Sequence, residues 1–268
     1  LPADAIDSVP EHAAARAVKQ ISGELNRFCQ KNGVTPFMVS LTALAVTLQI
    51  WTLQIDLVLG TVVAGRNRRE LENVIGCFMN FLPLRVKVVA QQTVREILFQ
   101  VRDVVLAAQA HQDCPFEKIV ETINPRREKD RNPLYNVGLL LQNFPTQPFT
   151  SAKLKSEVLP VEAEAALLDL RFEVEETASG WSWCCEYKTK LFRVDTISQL
   201  LVSMDQVLVK LMREPDARVS DFTIAPELGT RRDQSQAVEP EVIAVTATFT
   251  AEFLAEPLQH WMKELELP

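Results

Sequence analysis

The sequence is poor in the residues from which most enzyme motifs are built. Eight glycines in 268 residues are too few and too scattered for a dinucleotide fingerprint or a phosphate-binding loop. The three histidines, His12, His111 and His260, are never adjacent, so a paired-imidazole motif is absent. The five cysteines, Cys29, Cys77, Cys114, Cys184 and Cys185, form an odd set in no zinc-ligand spacing. They read as reduced cytoplasmic thiols in or near a core. No long basic run is present and the formal charge is −7, which argues against a nucleic-acid groove. The longest apolar stretch, Phe37 to Leu59, is interrupted by Ser40, Thr42, Thr47, Gln49, Gln54 and Asp56, so a membrane span is not expected. Leu1-Pro2-Ala3-Asp4 is neither basic nor signal-like, and there is no initiator Met. The sequence therefore reads as a piece of a longer one.

What is present is a core-forming α/β pattern, with 47% apolar residues. Val18 to Ile21 suits a short strand. Ser22 is placed to cap a helix that Gly33 ends. Thr35-Pro36 opens a helix that is apolar almost all round, so it should be buried. Leu57 to Val63 reads as a strand covered on both faces. Gly65 to Arg69 is a polar loop, and Leu84, Val86 and Val88 alternate with Arg85 and Lys87 as in a half-exposed strand. Thr93-Val94-Arg95-Glu96 is a capping box, and a short helix should follow from Pro115 to about Ile123. Asn124 to Pro133 reads as a loop, Tyr135 to Leu141 as a strand, and Phe144 to Pro148 as a surface connection. Two alternating runs, Leu168 to Glu175 and Trp181 to Lys188, flank a Ser-Gly turn and read as an antiparallel hairpin. Asp195 should cap a long amphipathic helix that Pro215 stops. Residues 227–241 read as a linker, followed by a strand-like run and an amphipathic helix in a tail over 242–268.

Three blocks in fixed order carry a resemblance: Ile75-Gly76-Cys77-Phe78-Met79-Asn80, His111-Gln112-Asp113-Cys114-Pro115-Phe116-Glu117, and Arg131-Asn132-Pro133-Leu134. They resemble the later signature blocks of the condensation domains of nonribosomal peptide synthetases. The resemblance covers residues 1–226. It implies a chloramphenicol-acetyltransferase-like layered sandwich, one half of the V formed by two such halves. In that family a His-His-x-x-x-Asp-Gly motif in the first half does the chemistry. This sequence lacks it and is similar to the second half. Ile243 to Thr250 resembles the opening of glyceryl-loading domains of the haloacid dehalogenase class, which occur in mixed polyketide–peptide assembly lines.

The resemblance also suggests roles for individual residues. Asn80 matches an asparagine at the substrate tunnel, although a strand-end hydrogen bond is the plainer role. Arg66 resembles an arginine that pairs with the Asp of the missing motif; without that partner it is expected to be solvated. His111 closes one helix, Asp113 and Glu117 act as cap and first-turn charge of the next, and Cys114 stands where an aliphatic residue is usual. Gly76, Pro115, Asn132 and Pro133 are structural motif residues, and Arg131 is expected to fix its own loop through backbone carbonyls. Trp181 and Trp183 share a strand face and read as core. No catalytic residue, metal or soluble cofactor is expected, and phosphopantetheine enters only as the arm of a partner carrier protein. The implied function is a non-catalytic module that binds carrier proteins, adjacent megasynthase domains or a second copy of itself. The alternative is one half of an active condensation domain, complemented by a separate first half.

Overall fold

The apolar stretch after Thr35 becomes the spine of the fold. The structure is a computed structural model that describes residues 14–21, 24–125, 131–142, 150–151, 154–155, 165–177, 180–222 and Lys263. Strand β1 is Ala14–Gln20, and helix α1 is Leu25–Asn32, closed by Gly33 in the left-handed conformation. Ser22 and the tail from 223 onward lie outside the described residues, Lys263 excepted; Glu24 occupies the N-cap position of α1, and its side chain makes no capping bond to the helix backbone. Helix α2, Pro36–Thr52, is capped by Thr35, whose hydroxyl accepts from the Met38 N–H at 3.2 Å. Its residues Val39, Leu41, Ala43, Leu44, Ala45 and Val46 are fully buried. Burial on every side explains why the helix shows no amphipathic period. Among the described residues no single helix is long and apolar enough to cross a membrane.

The remaining elements are β2 Asp56–Val63, β3 Asn80–Lys87, α3 Val94–Ala110, α4 Phe116–Ile123, β4 Val137–Gln142, the two-residue strands β5 Thr150–Ser151 and β6 Leu154–Lys155, β7 Leu170–Thr177, β8 Gly180–Lys188 and α5 Val194–Arg213. Six strands form one mixed sheet in the order β1-β8-β7-β4-β2-β3. The β7–β8 hairpin has the expected antiparallel register, Leu170 opposite Tyr187 through Thr177 opposite Gly180. Strands β4 and β7 run parallel, and β2 meets β4 at the single pair Gly60 and Gly138. Helices α2, α3 and α5 cover one face, burying Leu59, Leu84, Val86, Leu139, Phe172, Trp183 and Cys185 in one continuous core. At roughly 1.5–3 kcal/mol per large buried side chain, this layer dominates the fold's stability.

Two expected caps resolve differently. Thr93 does form the capping box: its hydroxyl accepts from the Glu96 N–H, and Glu96 Oε2 accepts from the Thr93 N–H at 2.8 Å. The next donors of the α3 first turn go to the chain exit, Val94 N–H to Ala217 O and Arg95 N–H to Pro215 O. Helix α3 is thus clipped to the segment after α5, and Thr93→Ala should cost about 1 kcal/mol in urea unfolding. Asp195, by contrast, is not the cap of α5. The helix starts at Val194 with Arg193 at the N-cap, so Asp195 sits in the first turn, where its charge favours the helix dipole.

Candidate functional site

The other face of the sheet carries the site. Alternation in β7 and β8 sends Glu173, Ser182, Cys184, Glu186 and Lys188 away from the helices, yet all five are buried. They are held by a lattice of ion pairs. Arg171 Nη2 donates to Glu186 at 2.9 Å and contacts Glu173 at 3.1 Å. Arg16 reaches Glu173 at 2.7 Å and donates through Nε to Cys184 Sγ at 3.0 Å. Lys188 Nζ donates to Asp169 Oδ1 at 2.9 Å, and Arg131 approaches the other oxygen at 3.4 Å. Buried charges persist only when paired in this way.

Beside this charged half lies a small second core of Phe116, Val120 and Tyr135, with Val58, Leu134 and Leu168 packed on it. It seats α4 on the sheet. Phe81, Phe116 and Tyr135 form an edge-to-face series with centroids 6.0 and 5.8 Å apart. Tyr135 lies flat on Gly60, where an added Cβ would come within 1.9 Å of the ring. Gly60→Ala must therefore displace a buried tyrosine and should lower stability by about 1–3 kcal/mol, read by thermal melting with near-ultraviolet dichroism.

Between the two halves runs a groove of about 580 Å³, walled by Val62, Phe81, Leu140, Leu167 and Leu168 and ending at Arg131, Arg171 and Lys188. A smaller cavity of about 430 Å³ opens where β2 and β4 splay, next to Asp56, Asn136 and Asp169. Arg131 and Tyr135 line both.

The three signature blocks converge here. Asn80 spends its whole amide on one turn. Nδ2 donates to Gln112 O at 2.8 Å and Cys114 O at 2.7 Å, and Oδ1 accepts from the Phe116 N–H at 3.0 Å. The strand-end role is thus observed, and it doubles as the first-turn acceptor of α4. Asp113 is not that helix's cap, because Pro115 holds the N-cap position and the Phe116 donor goes to Asn80; Asp113 instead accepts from Asn67 Nδ2 at 3.1 Å. Glu117 is in the first turn as expected. His111 ends α3, with its ring Nδ1 2.9 Å from Ala107 O. Asn132 Oδ1 accepts from the Leu134 and Tyr135 N–H groups at 3.0 and 3.2 Å, forming the turn around Pro133.

Arg66 is half-exposed, and its guanidinium also donates to the carbonyls of Leu71, Val74 and Gly76 and stacks 4.7 Å over Phe78. Gly65 makes this knot possible, with φ at +64 and a hypothetical Cβ only 1.8 Å from Phe78 O. Arg131 has a carboxylate partner distant in sequence, Asp169.

Cys114 is buried, and burial pushes its thiol up to about 11, as it does for Cys29. A thiol so held is the reverse of an activated nucleophile. Alkylation of the native protein at pH 8 should therefore modify exposed Cys77 and spare Cys29 and Cys114, as peptide mass mapping would show. Among the described residues no cluster of three His, Cys, Asp or Glu side chains could hold a metal.

The condensation-domain family profile matches residues 5–232. The chain belongs to the condensation-domain family. It is 34% identical over 250 residues to tyrocidine synthase 3 of Brevibacillus parabrevis, a match covering 93% of this chain and 4% of that protein. Among solved structures it resembles a four-domain nonribosomal peptide synthetase bound to AMP and glycine, with TM-score 0.74 and 24% identity, over 84% of this chain and 19% of that one. It also resembles the X-domain in its complex with OxyB from teicoplanin biosynthesis, with TM-score 0.73 and 28% identity, over 84% of this chain and 51% of that one. The sheet with its helical layer is the chloramphenicol-acetyltransferase-like fold of condensation domains. Condensation domains work with carrier-protein domains on such assembly lines.

Sequence reading missed the buried charge lattice and the pairing of Gly60 with Tyr135. Counting outward from the hairpin turn would have placed Arg171 opposite Glu186. Nothing local would have placed Tyr135 on Gly60, 75 positions earlier in the chain.

Proposed function

We propose that this domain is the second wall of a condensation-type tunnel, acting in a cytoplasmic peptide-assembling megasynthase as a non-catalytic surface for carrier proteins or neighbouring domains. The observation that carries the reading is the pairing of a preformed apolar groove on the sheet face opposite α2, α3 and α5 with signature residues already occupied in holding structure. Asn80 uses both amide donors and its oxygen on the turn before α4, Arg66 is tied to its own loop, and the Cys114 thiol is buried. The match to about half of the X-domain chain supports assigning residues 1–226 to one half of the V. That X-domain is itself seen in complex with another protein, OxyB, which supports a docking role for the same fold here. On this reading residues 227–241 link to a tail that leads into a loading domain, and phosphopantetheine arrives only on a carrier.

Calorimetric titration with the carrier-protein domains of the same assembly line tests the proposal, with the mass of the chain in solution measured alongside. Saturable binding or a defined dimer is expected. A monomer that binds no carrier would overturn the docking role and favour the alternative, half of an enzyme awaiting its first half.

A further inference from the structure

The groove on the sheet face opposite α2, α3 and α5 has an uneven charge. Among the described residues that line it, three are cations, Arg131, Arg171 and Lys188, and none is a carboxylate. The counter-charges Asp169, Glu173 and Glu186 are themselves buried, so the arrangement presents positive groups to the groove and keeps negative ones out of its lining. Arg171 is the most telling of the three. Its Nη2 serves both glutamates, and its side chain keeps 28% of its surface open. Its hydrogen-bonding capacity is therefore not exhausted by the ion-pair lattice. The other walls are apolar, and Leu167 stands 79% exposed. A volume of about 580 Å³ lies within the roughly 300–1,000 Å³ of small-ligand sites.

We infer that the groove selects an anionic amphiphile: an acyl or side-chain group whose apolar body lies against Phe81, Leu140 and Leu168 and whose terminal carboxylate meets Arg131, Arg171 and Lys188. The inference rests on the tunnel-wall reading and adds a ligand class to it. A carboxylate gains charge-assisted hydrogen bonds from guanidinium and ammonium donors in a half-desolvated site. An uncharged analogue of equal length gains only the apolar contact. A phosphate carried by a pantetheine arm is the other source of negative charge, and it would bring little apolar surface.

Calorimetry on the full chain with decanoate, decanol and pantetheine 4′-phosphate tests this. Decanoate should bind one per chain, at least about tenfold more tightly than decanol, and the gap should narrow as salt is raised. Arg171→Lys, which keeps the charge but loses the planar fork, should narrow it too. Because Leu167 is 79% exposed, Leu167→Glu should leave the melting temperature unchanged while weakening decanoate more than decanol. Equal affinity for decanoate and decanol would overturn the inference, as would binding of pantetheine 4′-phosphate without decanoate. If decanoate fails while carrier proteins still bind, only this inference falls. If both fail, the tunnel-wall reading falls with it.

Discussion

Lys188→Met should destabilise the domain by about 3–5 kcal/mol in urea unfolding, the cost of leaving a buried charge without its partner. Asp169 and Lys188 are 7% and 6% exposed, and the 2.9 Å contact is the shorter of the two ion pairs at this carboxylate. Arg131 remains at 3.4 Å but is half open to solvent, so it only softens the loss. The double change Asp169→Leu with Lys188→Met should recover most of the stability, since removing both charges removes the desolvation cost as well. A single-variant effect below about 1 kcal/mol would mean the pair behaves as a surface pair, and this sheet face is wetter than its burial indicates.

Asn80→Ala should cost about 2–4 kcal/mol. One side chain satisfies Gln112 O, Cys114 O and the Phe116 N–H, and truncation leaves all three in a half-buried turn. Asn80→Asp should be no milder, because its carboxylate turns acceptor oxygen toward two carbonyls. Hydrogen exchange should locate the loosening at the start of α4 and in the turn from His111 to Pro115. Loosening confined to the β3 edge would show that the turn holds without Asn80.

The elements that the sequence made legible are those governed by local chemistry. Thr35-Pro36, Thr93 with Glu96 and Gly33 all sit at helix ends whose orphan donors and acceptors they satisfy. The alternating runs made the β7–β8 hairpin legible, because a one-residue slip of either strand would turn its apolar set, Phe172 and Val174 or Trp183 and Cys185, away from the core. The continuous apolar run of β2 predicts cover on both faces; Leu57 and Leu59 are buried, while Val58 and Val62 on the opposite face are only half-buried. What the sequence hid is what depends on distant partners. Asp195 looks like a cap because the helix start shifts by one residue. The three carbonyl partners of Arg66 leave no local sign because they come from a loop whose path only the structure gives. The site followed the same division. Its signature residues were legible as blocks, whereas the groove arises from the packing of Tyr135 on Gly60 and of the turn at Arg131 over β4 and β7.

The most direct measurement is product formation from two carrier proteins, one loaded with a donor acyl group and one with an acceptor amine, incubated with the purified chain and resolved by mass spectrometry of the carriers. Binding of loaded carriers without any amide product is the expected result, because the chain has no adjacent histidine pair and its described signature residues are engaged in holding structure. Amide formed by this chain alone, at a rate above the uncatalysed reaction, would contradict the reading of a tunnel wall without catalytic groups.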